Sequence, residues 1–454
     1  MRLIVALLAV TSTVYAAQPF GCQATDIDDK TRQKILDFHN QKREDVAKGL
    51  VPNFNSAKNM YKLRWSCILE RRAKKYSLSC PNQLNKMMGL GGHGMNMVHI
   101  ETEGSPDLDW AIDGTLKAWW APAEQYHLRP KGPDNRYPGE NFASVASIIN
   151  SETTQVGCSY NVCPQKGNQK TKLTILCLYD DVAYLQNRVL YDTGRHCTED
   201  KDCTTYRRST CDTKTGLCVK PKDTANDYEN KMCKVRTGMT DKVRNTFLDL
   251  HNDFRSLVAS GKAEDKLIDG GKGFAPKAAS MRKLEYDCKL EEMAAKYAEK
   301  CVYEHSPNVS RMLLGEEAGE NLFTVSVFDV DYNKAAEWAT RGWFRELKDN
   351  GVGAKNILTR ELLDRSKKIN FEEMKIGHYT QMVWGETDRI GCGIKHCYGD
   401  KGDRKEQTLV VCNYLVFGNI ANHTIYEIGK EPCEKCPQGY KCENNLCARL
   451  KPRS

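Results

Sequence analysis

The chain has 454 residues and a net charge of +8 at pH 7, with 67 Lys and Arg against 59 Asp and Glu. This mild excess contains no long basic block, which argues against nucleic acid as a partner. Its twenty cysteines argue against a reducing compartment and indicate a framework of disulfide bonds.

The first 17 residues are typical of a secretory signal peptide. Arg2 is the charged start, Leu3–Val10 is a short apolar core, and Val14-Tyr15-Ala16 has the small-residue spacing of a cleavage site. The apolar core is about half as long as a membrane span requires, and no later stretch approaches that length. We therefore expect a secreted, extracellular protein without a transmembrane segment.

The cysteines fall into two sets of ten with recurring intervals. Cys67 to Cys80 and Cys288 to Cys301 are both thirteen residues apart. The sequences around them agree, since "LRWSCILERRAKKYSLSC" matches "LEYDCKLEEMAAKYAEKC". These repeats indicate a tandem duplication, and the length suits two domains of about 200 residues, each large enough for its own core.

The last four cysteines of each set lie in polar segments rich in Gly, Asn and Lys. Such segments are too short and too polar to form a core, so disulfides must hold them. Cys433-Glu-Lys-Cys436 has the spacing of a redox pair, but we interpret it as part of a structural cystine framework. The predicted organisation is a signal peptide at 1–17, a first domain at 18–190, a Cys-rich extension and linker at 191–224, a second domain at 225–430 and a C-terminal extension at 431–454.

Each copy opens with two helical patterns. In the second copy, Thr240 can cap a helix whose apolar residues recur with helical period until Gly261 ends it. A second helix is predicted around Leu290, and a further helical segment follows Trp343. Both copies therefore begin with amphipathic helices.

Two later segments of the second copy are rich in β-branched and aromatic residues. "HYTQMVW" (residues 378–384) and "QTLVVCNYLVF" (residues 407–417) both predict strands. In a strand, His378 would share one face with Met382 and Trp384 and could reach a cleft while the other two pack below it. Helices and short antiparallel strands held by cystines predict an α+β sandwich.

Two longer motifs of the second copy match a known family. "GEEAGENLF" (315–323) and "GHYTQMVWGETDRIGCG" (377–393), with "HN" near the first helix and "CNY" on the last strand, resemble the signatures of the CAP superfamily. That superfamily comprises cysteine-rich secretory proteins, antigen-5 venom allergens and plant pathogenesis-related-1 proteins. The tandem arrangement resembles the two-domain activation-associated secreted proteins of parasitic nematodes. The resemblance implies tandem α-β-α sandwich domains, each followed by a small disulfide-rich extension.

The resemblance also implies a central cleft that holds two histidines and two acidic residues. The matching residues of the second copy are His305, Glu320, Glu346 and His378. Neutral imidazoles are good zinc ligands, and carboxylates can complete the metal shell, orient a bound water or act as acid–base groups. Without the resemblance, four residues spread over 74 positions form no local ligand motif. We predict a candidate site for Zn²⁺ or another divalent cation in the second domain.

The first copy keeps the fold but has lost at least three of these four residues. Alignment of Cys158 with Cys392 places the motif "YPGENFASVASIIN" opposite "FEEMKIGHYTQMVW". Gly139-Glu140-Asn141 is therefore out of register with Gly319-Glu320-Asn321. The aligned replacements are Leu84 for His305 (with His93 as an alternative), Met95 for Glu320, Pro122 for Glu346 and Ser144 for His378.

Other polar motifs have simpler interpretations. Two sequons begin at Asn308 and Asn422 and are open to glycosylation on the secretory route. Lys401-Gly402-Asp403 resembles the short integrin-recognition tripeptides and is a candidate partner-binding motif, although such a tripeptide arises easily by chance. His39 and His251 are each followed by Asn, and we interpret them as groups that satisfy buried backbone.

Three classes of function stay open. The first is a secreted binding or effector protein with an extracellular partner such as a host receptor, because the resemblance implies host interaction or immune modulation. The second is a metal-dependent hydrolase or protease, although G-x-S-x-G and H-E-x-x-H are absent and an even set of cysteines leaves no thiol nucleophile. The third is lipid or sterol binding, which the resemblance permits. We favour the first class over an enzyme.

Overall fold

A computed structural model describes residues 20–22, 27–81, 92–125, 134–164, 170–185, 188–222, 229–327, 329–368, 375–398 and 406–451. Among the described residues, the chain forms two compact units: the first ends at Lys222, and the second comprises residues 229–451 together with Gly92. We call them the first unit and the second unit. The predicted signal peptide, Leu84 and the Lys401-Gly402-Asp403 motif lie outside the described residues.

Within its described residues, the first unit contains five α-helices and nine strands. Its helices are α1 Asp29–Ala47, α2 Cys67–Ser77, α3 Leu108–Trp120, α4 Pro122–Gln125 and α5 Ala143–Ile149, as far as the described residues go. Its strands are β1 Ala57–Lys58, β2 Arg64–Trp65, β3 Gly94–Glu103, β4 Asp134–Arg136, β5 Gln155–Pro164, β6 Lys170–Tyr179, β7 Val189–Thr193, β8 Thr210–Asp212 and β9 Leu217–Val219.

The second unit repeats this order and adds several short hairpins. Its helices are α6 Asp241–Ala259, α7 Cys288–Ala298, α8 Tyr332–Asp349, α9 Arg360–Lys368 and α10 Gly377–Met382. Its strands are β10 Glu264–Asp265, β11 Gly273–Phe274, β12 Ala278–Ser280, β13 Glu285–Tyr286, β14 Met312–Leu313, β15 Glu316–Glu317, β16 Gly319–Val325, β17 Ile357–Leu358, β18 Arg389–Cys397, β19 Gln407–Leu415, β20 His423–Thr424, β21 Glu427–Ile428, β22 Tyr440–Glu443 and β23 Leu446–Arg449.

Each unit is built on one four-stranded sheet, and the two sheets have the same topology. The strand order is β2-β5-β6-β3 in the first unit and β13-β18-β19-β16 in the second. The first pair of each sheet is parallel and the others are antiparallel. Helix α7 packs on β18 and β19, while α8 packs against α6 and α10. The same arrangement recurs around α2, which gives the predicted α-β-α sandwich in both copies.

Glycine at one position of each sheet allows the helix backbone to come close. A Cβ atom at Gly391 would lie 2.3 Å from the backbone nitrogen of Glu291 on α7. In the first unit, a Cβ atom at Gly157 would lie 2.4 Å from the backbone nitrogen of Glu70 on α2. Any larger residue would push helix and sheet apart, which explains why both copies place glycine directly before a cysteine of the sheet.

The predicted caps of the first helix in the second unit are confirmed. The Thr240 hydroxyl accepts from the backbone of Val243 at the start of α6. Gly261 follows the helix with a φ of +68°, a conformation that suits glycine. The predicted strand after Gln407 is also confirmed as β19.

The strand predicted from "HYTQMVW" is wrong, because residues Gly377–Met382 form α10. The matching segment of the first unit forms α5. β-Branched and aromatic residues favour strands, but Tyr379 through Trp384 are all buried, so the segment has no alternation of buried and exposed positions. Its packing against α8 outweighs the local preference. His378, Met382 and Trp384 therefore do not share a strand face.

All twenty cysteines pair, and every pair lies within one copy, as predicted. The bonds are Cys22–Cys67, Cys80–Cys163, Cys158–Cys177, Cys197–Cys211 and Cys203–Cys218, then Cys233–Cys288, Cys301–Cys397, Cys392–Cys412, Cys433–Cys442 and Cys436–Cys447. Cys433 and Cys436 bond to other cysteines rather than to each other, which confirms their structural role. Among the described residues, no helix combines the length and apolar character that a bilayer crossing requires.

Buried histidines on the first helix of each unit are satisfied by their own surroundings. His251 Nδ1 lies 2.7 Å from the carbonyl oxygen of Phe247, and Nε2 lies 2.9 Å from the hydroxyl of Tyr414. His39 makes the equivalent contacts with Ile35 and Tyr179 at 2.8 Å each. Burial lowers the pKa of His251 to about 3 and that of His39 to about 4. Their predicted role in satisfying buried groups is confirmed.

Candidate functional site

The first histidine–carboxylate pair joins a loop to the edge of the sheet. His305 lies in the loop after Cys301, and Glu320 lies on β16 opposite Asn413. His305 Nδ1 is 2.9 Å from Glu320 Oε1. The Glu320 side chain is 2% exposed, whereas that of His305 is 64% exposed. A buried carboxylate therefore holds an imidazole that opens to solvent.

Further donors converge on the Glu320 carboxylate. Ser306 donates to it from its backbone nitrogen at 2.8 Å and from its hydroxyl at 2.7 Å. The Arg311 guanidinium lies 3.8 Å away. Burial alone would raise the pKa of the Glu320 carboxyl, but the hydrogen bonds from His305 and Ser306 outweigh it and hold that pKa below its ordinary value. Glu320 is thus a fixed anion that is already occupied by donors.

The second pair joins α8 to the start of α10. His378 Nδ1 is 2.6 Å from Glu346 Oε1. The other carboxylate oxygen accepts from the backbone nitrogens of His378 at 3.1 Å and Tyr379 at 3.0 Å. Because the first backbone N–H groups of a helix lack partners within it, Glu346 caps α10 while it holds the ring.

An aromatic ring fixes the orientation of His378. Trp343 precedes Glu346 by three residues on α8, so both side chains lie on one face of the helix. Its indole stacks on the His378 ring at 6.0 Å between centroids, with 24° between the planes. The indole Nε1 donates to the carbonyl of Leu322 at 3.1 Å, which anchors the stack to β16. The ring of His378 is therefore held at its edge and on its face.

A buried arginine positions the far end of α10. Arg255, on α6, donates to the backbone carbonyls of Arg282, Met382, Trp384, Gly385 and Thr387. Arg43 does the same in the first unit, with the carbonyls of Tyr61, Ile148, Asn150, Ser151 and Thr153. The guanidinium thus supplies donors to the carbonyls of the turn after α10. Two of these carbonyls, those of Trp384 and Gly385, also accept from the backbone nitrogens of Thr387 and Arg282.

The two pairs are fastened to the same strand. Asn321 follows Glu320 on β16, and its Nδ2 donates to the backbone carbonyl of His378 at 3.0 Å and to the Tyr414 hydroxyl at 3.2 Å. In both pairs Nδ1 faces a carboxylate, and within the described residues Nε2 of neither histidine takes a hydrogen bond. The described part of the chain offers groups of three or more ligand atoms within 4.8 Å only at Cys197/Cys203/Cys211 and Cys433/Cys436/Cys447. Those cysteines are disulfide-bonded and have no thiolate to offer.

The equivalent position in the first unit confirms the alignment of the copies. Gly94 pairs with Tyr179 across the sheet as Gly319 pairs with Tyr414, so Met95 takes the place of Glu320. Asn96 Nδ2 donates to the carbonyl of Ser144 at 3.0 Å, as Asn321 does to that of His378. Met95 is buried, and the Ser144 hydroxyl donates to the carbonyl of Trp119 at 2.8 Å. Met95 and Ser144 therefore replace Glu320 and His378, two of the four polar residues of the second-unit site.

The remaining first-unit residues do not rebuild the site. His93 contacts the Arg72 guanidinium, whereas His305 contacts a carboxylate. Pro122 begins α4, and Glu124 on the same helix is exposed. Gly139-Glu140-Asn141 precedes α5, far in sequence from β3, which confirms that this tripeptide is out of register.

Sequence reasoning missed three residues that shape the site. Ser306 follows His305 directly in the sequence. Because His305 was expected to lie near Glu320, a contact between Ser306 and Glu320 could have been predicted as well. Trp343 was named only as the residue before a predicted helical segment, although its spacing from Glu346 places both side chains on one face of a helix. Arg311 reaches the site through a short turn that no periodicity predicts.

Both sequon residues, Asn308 and Asn422, are exposed.

Comparison with known proteins agrees with this architecture. The model of the cysteine-rich secretory protein family matches residues 36–179 and 248–414. The Ancylostoma secreted protein of Ancylostoma caninum is 40% identical over 440 residues, which are 95% of each chain. The crystal structure of Na-ASP-1 is 41% identical and covers 94% of this chain and 100% of its own, with a TM-score of 0.71. The structure of NaASP2 with Zn²⁺ is 41% identical, covers 47% of this chain and 99% of its own, and has a TM-score of 0.40.

Proposed function

The chain belongs to the cysteine-rich secretory protein family, and we propose that it works outside the cell as a binding protein whose second unit can hold a divalent metal ion. The signal peptide predicted at residues 1–17 and the ten disulfides support an extracellular role. The similar Ancylostoma secreted protein, named for its secretion, spans the same two copies. The resemblance to nematode activation-associated secreted proteins supports a host protein as the partner.

The arrangement of the two histidines carries the metal proposal. Each Nδ1 faces a carboxylate at 2.9 Å or less, as is usual for metal-ligating imidazoles with a carboxylate behind them. Donation from Nδ1 leaves the lone pair of Nε2 for a metal, and neutral imidazole nitrogen suits Zn²⁺ well. His305 and His378 would hold the ion while Glu320 and Glu346 orient them. Water would take the remaining positions.

The geometry favours orienting over acid–base roles for the two carboxylates. Glu320 already accepts from His305 and from two donors of Ser306, and its pKa is lowered. Glu346 accepts from the ring and two backbone nitrogens at the start of α10. A general base needs a free oxygen and a pKa near the working pH. We therefore favour a binding protein over a hydrolase.

The loss of the polar cleft in the first unit also favours a binding protein over a hydrolase. Met95 and Ser144 keep the sheet and helix contacts of Glu320 and His378 while removing their chemistry. A pair of scaffolds that present loops to a partner needs no cleft in either copy. A role in binding explains why the first unit keeps the fold although it has lost the polar cleft residues, whereas a role in catalysis would require the cleft.

A zinc titration of the full chain tests the proposal. After chelator treatment at neutral pH, the wild type should bind one ion and the His305→Ala/His378→Ala variant none. His93→Ala, in the first unit, is the matched control and should bind as the wild type does. Equal zinc binding by wild type and double variant would remove this site assignment. Peptide or ester hydrolysis that the double variant abolishes would replace the binding role with an enzymatic one.

A further inference from the structure

The sequon residue Asn308 lies at the solvent edge of the His305–Glu320 pair. It begins a single 3₁₀ turn, Asn308–Arg311, that links the His305 loop to β14. We propose that Asn308 carries an N-linked glycan that covers an apolar rim beside His305 and admits ions, but not macromolecules, to that side of the cleft. The statement about ions rests on the proposed metal-binding function.

The side chain of Asn308 is placed for attachment. It is exposed, and its Oδ1 accepts from Arg311 Nη2 at 2.8 Å, so Nδ2 is left for a bond outward. Arg311 also contacts the Ser306 carbonyl, donates to Glu317 at 3.0 Å and lies beside Glu320. One arginine therefore fastens both the attachment residue and the base of the histidine pair, and a glycan on Asn308 would stay near that pair.

Three apolar side chains within six residues of Asn308 are exposed. Val309 is 84% exposed, Leu314 78% and Met312 48%. Leu314 and Gly315 form the two-residue turn between β14 and β15, with φ values of +56° and +84°. Leucine is a poor choice for a left-handed position, and an exposed apolar patch normally marks a covered surface. A bulky, solubilising glycan one residue from Val309 supplies that cover.

The chemistry of attachment needs only the sequon and a glycosyl donor of the secretory route. Nδ2 of Asn308 forms a bond to the anomeric carbon of an oligosaccharide carried on a lipid diphosphate. The bond from that carbon to the diphosphate breaks, and the proton that Nδ2 loses goes to the departing lipid diphosphate. The hydroxyl of Ser310 completes the sequon and donates to the Pro307 carbonyl at 2.7 Å in the folded chain.

The second sequon provides an internal reference. Asn422 is exposed on the turn before β20, and its Oδ1 accepts from the backbone nitrogen of Arg360 at 3.0 Å. This contact ties it to the start of α9 rather than to any of the four cleft residues. Glycan occupancy at Asn422 therefore shows whether the secretion host glycosylates the chain, independently of the apolar rim beside His305.

The test compares Ser310→Ala, which ends the sequon and keeps Asn308 with its Arg311 contact, with Ser310→Thr, which preserves the sequon. Full chains are produced in a glycosylating secretion host, and occupancy is read by glycopeptide mass spectrometry. Asn308 should be occupied in the wild type and in Ser310→Thr, and empty in Ser310→Ala. An apolar fluorescent dye should bind Ser310→Ala about twofold more strongly. An antibody fragment selected against the rim of Ser310→Ala should bind Ser310→Thr about tenfold more weakly.

Zinc separates the two parts of the inference. Zinc affinity should agree within about twofold between the two variants, because an ion passes a glycan that stops a protein. Trimming the wild-type glycan to its first sugar with an endoglycosidase should reproduce the Ser310→Ala behaviour without any substitution. An empty Asn308 beside an occupied Asn422 in the wild type would overturn the proposal, as would equal antibody binding to all forms. If no form binds zinc while the antibody still discriminates, the metal proposal fails and the glycan shield stands.

Discussion

The carboxylate of Glu346 holds His378 at two points, with Oε1 2.6 Å from ring Nδ1 and Oε2 3.1 Å from the backbone nitrogen. One side chain of α8 thus sets both the imidazole and the start of α10. The candidate ligand is positioned by a helix distant in sequence, and not by its own neighbours.

Replacement of Glu346 by Gln should weaken zinc binding by about 10- to 100-fold, as for other groups that orient a metal ligand. The amide keeps the size of the side chain but has one accepting oxygen in place of two, so it cannot hold the ring and cap α10 together. Isothermal titration of the full chain measures this change. Glu124→Gln, in the first unit, should leave the affinity unchanged. An unaltered affinity in Glu346→Gln would show that the carboxylate does not orient the ligand.

Glu320→Gln should destabilise the second unit by about 1.5–3 kcal/mol at pH 7, because hydrogen bonds to an ionised carboxylate are lost. The pKa of Glu320 is lowered by its donors against the effect of burial. Its contribution is therefore present above the unfolded value of about 4.3 and is lost as the pH falls through the lower folded value. The difference in thermal midpoint from the wild type should shrink below that pH. Glu317→Gln, a partly exposed partner of Arg311, should change the midpoint little.

The sequence predicted the scaffold better than the site. The cysteine intervals, the cap at Thr240 and the register that places Ser144 opposite His378 depend on local spacing, which a sequence displays directly. The segment Gly377–Met382 was predicted as a strand because it is rich in aromatic and β-branched residues. Its last four residues are all buried, so the helix shows no amphipathic period that the sequence could display. Arg311 was missed because its approach to Glu320 depends on the path of a loop.

Arg255→Lys should destabilise the second unit by about 3–5 kcal/mol. Lysine has one nitrogen with three donors, so it cannot reach all the carbonyls that Arg255 serves. The buried carbonyls left over, such as those of Met382 and Thr387, lose the donor that Arg255 supplies. Zinc affinity should fall too, because those carbonyls define the end of α10. Arg43→Lys should cost the first unit a similar amount and leave zinc affinity intact. Loss of affinity in both variants would indicate a general folding defect and not a positioning role.

His251→Gln should flatten the pH dependence of stability in the second unit. The native structure keeps His251 neutral, since burial lowers its pKa to about 3, while the unfolded chain binds a proton below about 6.5. Stability is thus complete above pH 6.5 and falls by about 1.4 kcal/mol per pH unit for this residue as the pH drops toward 3. Of the charged groups near it, Arg255 lowers this pKa further, and the rings of Trp343 and Tyr414 add no charge.

The glutamine side chain of this variant can donate to the Phe247 carbonyl but does not titrate. At pH 7 the free energy of unfolding of the variant should be about 1–3 kcal/mol below that of the wild type. From pH 7 to pH 5, the free energy of unfolding should fall less in the variant than in the wild type. Thermal unfolding of the full chain at both pH values measures the two slopes. His39→Gln should flatten the slope of the first unit instead, because the pKa of His39 is lowered to about 4 by the same burial. Parallel slopes in wild type and His251→Gln would mean that this histidine takes up its proton without unfolding, and that the hydroxyl of Tyr414 can turn to accept it.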